Sequence, residues 1–171
     1  RQLTGIGREV SVSLYDAAVC SLANQASNYL MTGHVAQRIG SLHPNIAPYG
    51  ELFKTKDGAT LTFAIGSDSH FEKFVTELGV PEIATDARFV HNQQRLENRE
   101  ALFELLETLI GQVESEQLLS KLHLKHVPCA KVKSLDEVFH ADEAKTLVLT
   151  EEIAGRTTKR VRTTAFKLNN D

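Results

Sequence analysis

Leu52-Phe53-Lys54-Thr55-Lys56-Asp57-Gly58-Ala59-Thr60-Leu61-Thr62-Phe63-Ala64-Ile65-Gly66-Ser67-Asp68 places two short apolar runs on either side of an Asp-Gly pair. Asp-Gly between strand-like runs is a strong short-range hairpin signal, because such a turn requires positive φ and glycine adopts it without a steric penalty. The stretch therefore predicts a two-stranded ribbon, residues 52–54 paired with 60–65. Ser67 or Asp68 then caps a helix whose apolar face is Phe71, Phe74, Val75 and Leu78, and Gly79 with Pro81 ends it.

Downstream, Leu102, Leu105, Leu106 and Leu109 recur at helical spacing and predict a helix within 91–113, with Arg95, Glu97, Arg99, Glu100 and Glu104 on the wetter side. Leu118, Leu119 and Leu122 make 115–125 a further amphipathic helix. Pro128 resets the chain, residues 129–132 alternate as a short strand, and Ser134 caps a short helix at 135–139. Residues 147–153 and 160–166 predict a second hairpin, joined by Ala154-Gly155-Arg156. Upstream, Gly33, Gly40, Pro44, Pro48 and Gly50 make 32–50 a long loop. Before it, Leu14, Ala18, Leu22, Ala26 and Leu30 recur every four residues, predicting one helix over 14–31 that turns this stripe to a core. Ser13 and Asp16 form a capping box at its start, and the alternation of Val10, Val12 and Leu14 predicts a short strand ahead of it. This order lacks the steady βαβ alternation of a doubly wound sheet, so the expected fold class is α+β with mostly antiparallel strands.

Composition narrows the function classes. At 171 residues and 42% hydrophobic, the chain is long enough for one domain with a sizeable core, or one domain plus an appended element. A net charge of −3, from 22 acids against 19 bases, gives no field that attracts nucleic acid or an anionic membrane, and neither partner is expected. The basic run Arg156, Lys159, Arg160 and Arg162 has no interleaved aromatic and reads as a solvated hairpin. No apolar run approaches the roughly 18 to 20 residues that span a bilayer, and the expected location is cytoplasmic. Cys20 and Cys129 lie far apart, with no C-x-x-C pair and no histidine at ligand spacing, so buried free thiols and no metal are expected.

Three groups of residues, taken in order, resemble a known family. The first is Arg1-Gln2-Leu3-Thr4-Gly5-Ile6-Gly7 running through Val10, Val12 and Ser13 into a helix. The second is Gly40, His43-Pro44 and Pro48-Tyr49, followed by Asp57-Gly58 and Ala64-Ile65-Gly66-Ser67-Asp68. The third is Asp86-Ala87-Arg88-Phe89, Asn92, Arg95 and Asn98-Arg99, continuing to Val127-Pro128-Cys129-Ala130-Lys131-Val132. Together they resemble the family III CoA-transferases, the group that includes formyl-CoA transferase, carnitine CoA-transferase and the α-methylacyl-CoA racemases.

The resemblance implies a middle-to-C-terminal piece of a longer, interlocked homodimeric enzyme that moves CoA between an acyl-CoA and a carboxylic acid. It implies a CoA thioester as substrate, no tightly bound cofactor, and a nucleophilic aspartate upstream of Arg1. No catalytic residue is then expected in this chain, and the chain alone is expected to be inactive. Residues 1–39 would be a linker strand and long helix, 40–146 a small α+β domain, and 147–171 a C-terminal hairpin and return linker. On the substrate side the resemblance points to His43, Tyr49, Gly50 and Asp68. The plainer readings are a backbone bond within its own loop for His43, a helix cap for Asp68, solvation for His70 and His91, and surface pairing of Arg88, Arg95 and Arg99 with Asp86, Glu97, Glu100 or Glu104. Pro44 and Pro48 fix φ, which suits the 40–50 loop to a rigid platform rather than a flexing cover. A racemase fragment and a non-catalytic binding or assembly module are the alternatives.

Overall fold

The computed structural model describes residues 5–7 and 9–162, and the chain divides into two compact units, Arg1–Gly40 and Ser41–Asp171. The opening residues Arg1-Gln2-Leu3-Thr4 of the first motif lie outside the described residues.

In the first unit, α1 spans Leu14–Cys20 and α2 spans Ala23–Thr32. Ser13 Oγ accepts from Asp16 N at 3.3 Å, so the cap forms where the sequence predicts it. The single helix expected over 14–31 is broken. Ser21 Oγ folds back onto Ala18 O at 2.7 Å, and Ala23 takes a positive φ of 41°. A serine that bonds the preceding turn competes with the helix ladder, and a positive φ ends it. The strand expected at Val10–Leu14 is also absent, since no strand among the described residues of this unit offers its backbone a partner. The apolar stripe does not reach a core: Leu14, Leu22 and Leu30 are exposed, and no residue of α1 is buried. Cys20 is an exposed thiol rather than a buried one. Two short helices enclose too little volume to bury such a stripe.

The second unit holds the core. Strand β1 (Tyr49–Lys54) pairs antiparallel with β2 (Thr60–Ala64), which pairs antiparallel with β3 (Cys129–Lys131). The predicted ribbon is thus two strands of a three-stranded sheet with β2 in the centre, in register Leu61 with Lys131 and Phe63 with Cys129. Alternate strand residues Leu61, Phe63 and Ile65, with Phe53 from β1, turn to one face. Onto that face pack α3 (Asp68–Glu77) through Phe71, Phe74 and Val75, α5 (Arg99–Ile110) through Leu102, Leu106 and Ile110, and α6 (Ser115–Leu124) through Leu118, Leu119 and Leu122. Aromatic rings knit the layers, Phe63 meeting Phe53 at 5.7 Å and Phe74 at 4.7 Å between centroids.

A short 3-10 turn, Pro81–Thr85, follows α3, and α4 (Asn92–Glu97) precedes α5. The helix predicted within 91–113 is therefore divided at Asn98, which sits at φ −112° and ψ 29° with its Nδ2 donating to Gln94 O at 2.9 Å. Helices α7 (Leu135–His140) and α8 (Asp142–Lys145) lead to the hairpin of β4 (Val148–Ile153) and β5 (Arg156–Val161). Ser134 and Glu137 close a capping box on α7. The hairpin turn is Ala154–Gly155, both at positive φ (52° and 74°), so β5 begins at Arg156, four residues before the predicted 160. Predicted strand residues 163–166 lie outside the described residues. Every residue of β5 is exposed, in keeping with a solvated hairpin. The fold is α+β, with small antiparallel sheets. Among the described residues no helix is long and apolar enough to cross a membrane.

Candidate functional site

The loop from Ser41 to Gly50 carries most of the sequence-predicted site. Its two ends are tied to each other, Ser41 Oγ donating to Gly50 O at 2.7 Å and His43 N to Tyr49 O at 2.8 Å. Gly50 sits at φ +89°, and a Cβ there would lie 2.0 Å from Ser41 O, so the close approach requires glycine. His43 Nδ1 accepts from Asn45 N at 3.1 Å, which is the backbone bond anticipated for a loop-fixing histidine. Its ring leans on Tyr49 at 4.8 Å. The Ala47–Pro48 bond is cis, and Pro48 O accepts from Ile65 N at 3.1 Å beside the sheet.

Three side chains from α4 and α5 satisfy the polar backbone that the loop turns inward. Asn92 Oδ1 accepts from Ala47 N at 3.2 Å while its Nδ2 donates to Asn45 O at 2.8 Å. Arg95 donates from Nε to Ala47 O at 2.8 Å and from Nη1 to Phe89 O at 3.0 Å. Arg99 Nη2 donates to His43 O at 2.8 Å and Ile46 O at 2.6 Å, and its Nε pairs with Glu51 Oε1 at 2.8 Å. The surface partners expected for Arg95 and Arg99 are therefore wrong. A loop that directs carbonyls inward needs buried donors, and a guanidinium supplies several at once. Arg88 does pair with Asp86, at 2.7 Å, and the hydrogen bonds from Arg88 hold the Asp86 carboxyl below its ordinary value.

Asp68 is not the cap of α3. Ser67 Oγ takes that place, accepting from His70 N at 3.1 Å. The Asp68 carboxylate is thereby free to accept from Arg95 Nη2 at 2.8 Å on Oδ1 and to meet His91 Nδ1 at 2.9 Å on Oδ2. Partial burial pushes this carboxyl up, but hydrogen bonds from His91 and Arg95, with the Arg95 charge, outweigh that and leave it below its ordinary value. Its side chain is 50% exposed, whereas that of Arg95 is 0% exposed. His91 thus has a definite partner rather than solvent alone, and His70 Nδ1 is buried with no partner. Cys129 is half-buried, and burial raises its thiol.

The structure brings His43 of the loop against Tyr49 and Gly50 at the start of β1 and joins Asp68 to that loop through Arg95. Asn92, Arg95 and Arg99 carry the family resemblance, and the two arginines are also candidates for CoA phosphates, but the sequence gives none of them, nor Glu51, the role of holding this loop. The legible part of the signal is the i, i+3 spacing of Asn92 and Arg95, which puts two hydrogen-bonding side chains on one face of α4; Arg99 opens α5 beyond the break at Asn98. Beside the loop lies an open groove of about 540 Å³, lined by Ser41, Leu42, Glu51, Leu52, Arg99 and Phe103. Chemically, the arrangement is a fixed wall that presents Tyr49 and a half-exposed carboxylate.

The chain matches CoA-transferase family III over residues 1–171. It is 33% identical over 136 residues to succinate–glutarate CoA-transferase of Agrobacterium fabrum, which covers 80% of this chain and 34% of that protein. It is 31% identical over 137 residues to acetyl-CoA:oxalate CoA-transferase of Acetobacter aceti, covering 80% of this chain and 35% of the relative. The chain thus spans about a third of the length of these relatives. Among solved structures, a CaiB/BaiF family protein from Brucella suis is similar over 100% of this chain and 44% of its own, with 36% identity and a TM-score of 0.70. On this match of fold and sequence, the chain belongs to CoA-transferase family III.

Proposed function

We propose that this chain forms the small domain, with adjoining linkers, of an acyl-CoA:carboxylate CoA-transferase whose acids are small dicarboxylates. The supporting observation is the family match over residues 1–171, joined to relatives named for CoA transfer involving succinate, glutarate and oxalate. In the whole enzyme, an aspartate outside residues 1–171 attacks the acyl-CoA carbonyl, forming a mixed anhydride and releasing CoA thiolate. The thiolate then attacks the aspartyl carbonyl, giving an enzyme-bound CoA thioester and freeing the donor acid. The acceptor carboxylate attacks that thioester in turn, expelling CoA thiolate and leaving an aspartyl–acceptor anhydride, and the thiolate then attacks the acceptor's acyl carbonyl, giving the new acyl-CoA and freeing the aspartate. Dividing one difficult exchange into covalent steps is what a nucleophile contributes.

On this reading the 41–50 loop, with His43, Tyr49 and Gly50, is a rigid wall of the thioester pocket, and Asp68 is its charged edge. Residues 1–39 are the linker, 40–146 the small domain and 147–171 the return segment of a cytoplasmic homodimer. The test is CoA exchange between succinyl-CoA and glutarate or oxalate, assayed for the complete enzyme and for the isolated 171-residue chain. Exchange is expected from the first and none from the second. A complete enzyme that only moves solvent deuterium onto the α-carbon of an acyl-CoA, with no acceptor acid, overturns the transferase reading.

A further inference from the structure

Arg95 is completely buried, and its guanidinium meets acceptors from separate segments: Ala47 O in the loop, Phe89 O ahead of α4, and Asp68 Oδ1 at the start of α3. The group also lies over the Phe71 ring, 4.6 Å from its centroid. The Ala47 and Phe89 carbonyls require a buried donor, which the guanidinium supplies. It supplies direction to Asp68 as well. The planar fork holds Nε and Nη2 at fixed angles, so the Asp68 carboxylate cannot shift relative to the Ala47 carbonyl without breaking a bond. Asp68 is gripped at its other oxygen as well, by His91 Nδ1 at 2.9 Å. The carboxylate is thus exposed but not free to turn.

We propose that Arg95 is a positioning residue that fixes the Asp68 carboxylate against the 41–50 loop, so that the two parts of the thioester wall keep one spacing through the reaction. This rests on the transferase reading above. Arg95 touches no substrate itself, and its effect belongs on turnover rather than on affinity, because displacements near 1 Å in a reacting geometry are worth about 10²-fold in rate.

The experiment uses the complete enzyme with succinyl-CoA and glutarate, comparing wild type, Arg95→Met, Asp68→Asn and the double variant, each checked by thermal melting. Arg95→Met is expected to lower kcat by about 10- to 100-fold while KM for succinyl-CoA moves by less than about threefold. Asp68→Asn is expected to do the same, and the double variant to be no slower than the slower single, since both changes break one device. A folded Arg95→Met enzyme with wild-type kcat, or losses that multiply in the double variant, overturns the proposal. Asp68→Asn, nearly isosteric and half-exposed, decides the matter if Arg95→Met does not fold, because wild-type turnover in it is equally fatal. Wild-type enzyme that exchanges no CoA overturns both this proposal and the reading beneath it, whereas exchange unaffected by the variants overturns this one alone.

Discussion

Asp57 lies in the β1–β2 turn, yet its carboxylate also serves α6. It accepts from Ser115 N at 3.1 Å and Ser115 Oγ at 2.6 Å, and from Thr55 Oγ1 at 2.5 Å. The Ser115 hydroxyl, followed by that of Thr55, lowers its pKa to about 2. An unfolded aspartate titrates near about 3.9, so the folded value is depressed and the contribution to stability is complete above the unfolded value. It is lost as pH falls through about 2. In urea titrations between pH 5 and pH 2, Asp57→Asn should therefore flatten the acid decline seen in wild type. Parallel declines in the two proteins would remove Asp57 from the account. Gly50 allows a sharper comparison with Gly58, because both have positive φ (89° and 79°) but only Gly50 faces a carbonyl where a Cβ would go. Left-handed backbone alone costs an alanine about 1–2 kcal/mol, so Gly50→Ala must exceed Gly58→Ala by whatever the clash adds. Equal melting points for the two variants would contradict the close approach.

At the scale of elements, the loop's rigidity comes from α4 and α5 rather than from its prolines alone. Asn92→Ala removes the acceptor of Ala47 N and the donor to Asn45 O. Hydrogen exchange should then accelerate at Ala47 and its neighbours while the β2 amides, paired on both sides, remain protected. Unchanged exchange at Ala47 would mean that the prolines suffice. How far such features could be read from sequence depends on how local their causes are. The Asp57-Gly58 turn, the Phe71–Phe74–Val75 face and the Ser134 cap each depend on neighbours within one or two turns, and all form where the sequence puts them. The partner of Cys129–Lys131 is not local, so its strand was legible but its place beside β2 was not. Arg95 and Arg99 looked like surface ion-pairing residues because carboxylates stand near them in sequence. Their true acceptors, the carbonyls of Ala47, His43 and Ile46, depend on how a loop some fifty positions earlier is folded, as the separations of 48, 56 and 53 show. The cap of α3 is a local matter that the sequence leaves between Ser67 and Asp68, and Ser67 takes it.

Across the whole molecule, apolar side chains divide unevenly. The second unit holds the whole buried core, while Val10, Leu14, Leu30 and Met31 in the first unit are more than three-quarters exposed. Apolar side chains exposed in this number draw another surface to them in water. The isolated chain should accordingly self-associate, with sedimentation velocity showing larger species as concentration rises, and Leu14→Glu combined with Leu30→Glu should reduce them. A strict monomer at high concentration would contradict this. The sheet carries a different consequence, one of timing. Leu61 pairs with Lys131 across everything from α3 to α6, so a nascent chain leaves the ribosome with β2 made long before its third strand exists. Until then one row of β2 amides and carbonyls stands bare beside Phe63, a state open to mispairing with a neighbouring polypeptide. Emergence of Lys131 from the ribosome is the moment at which this hazard ends.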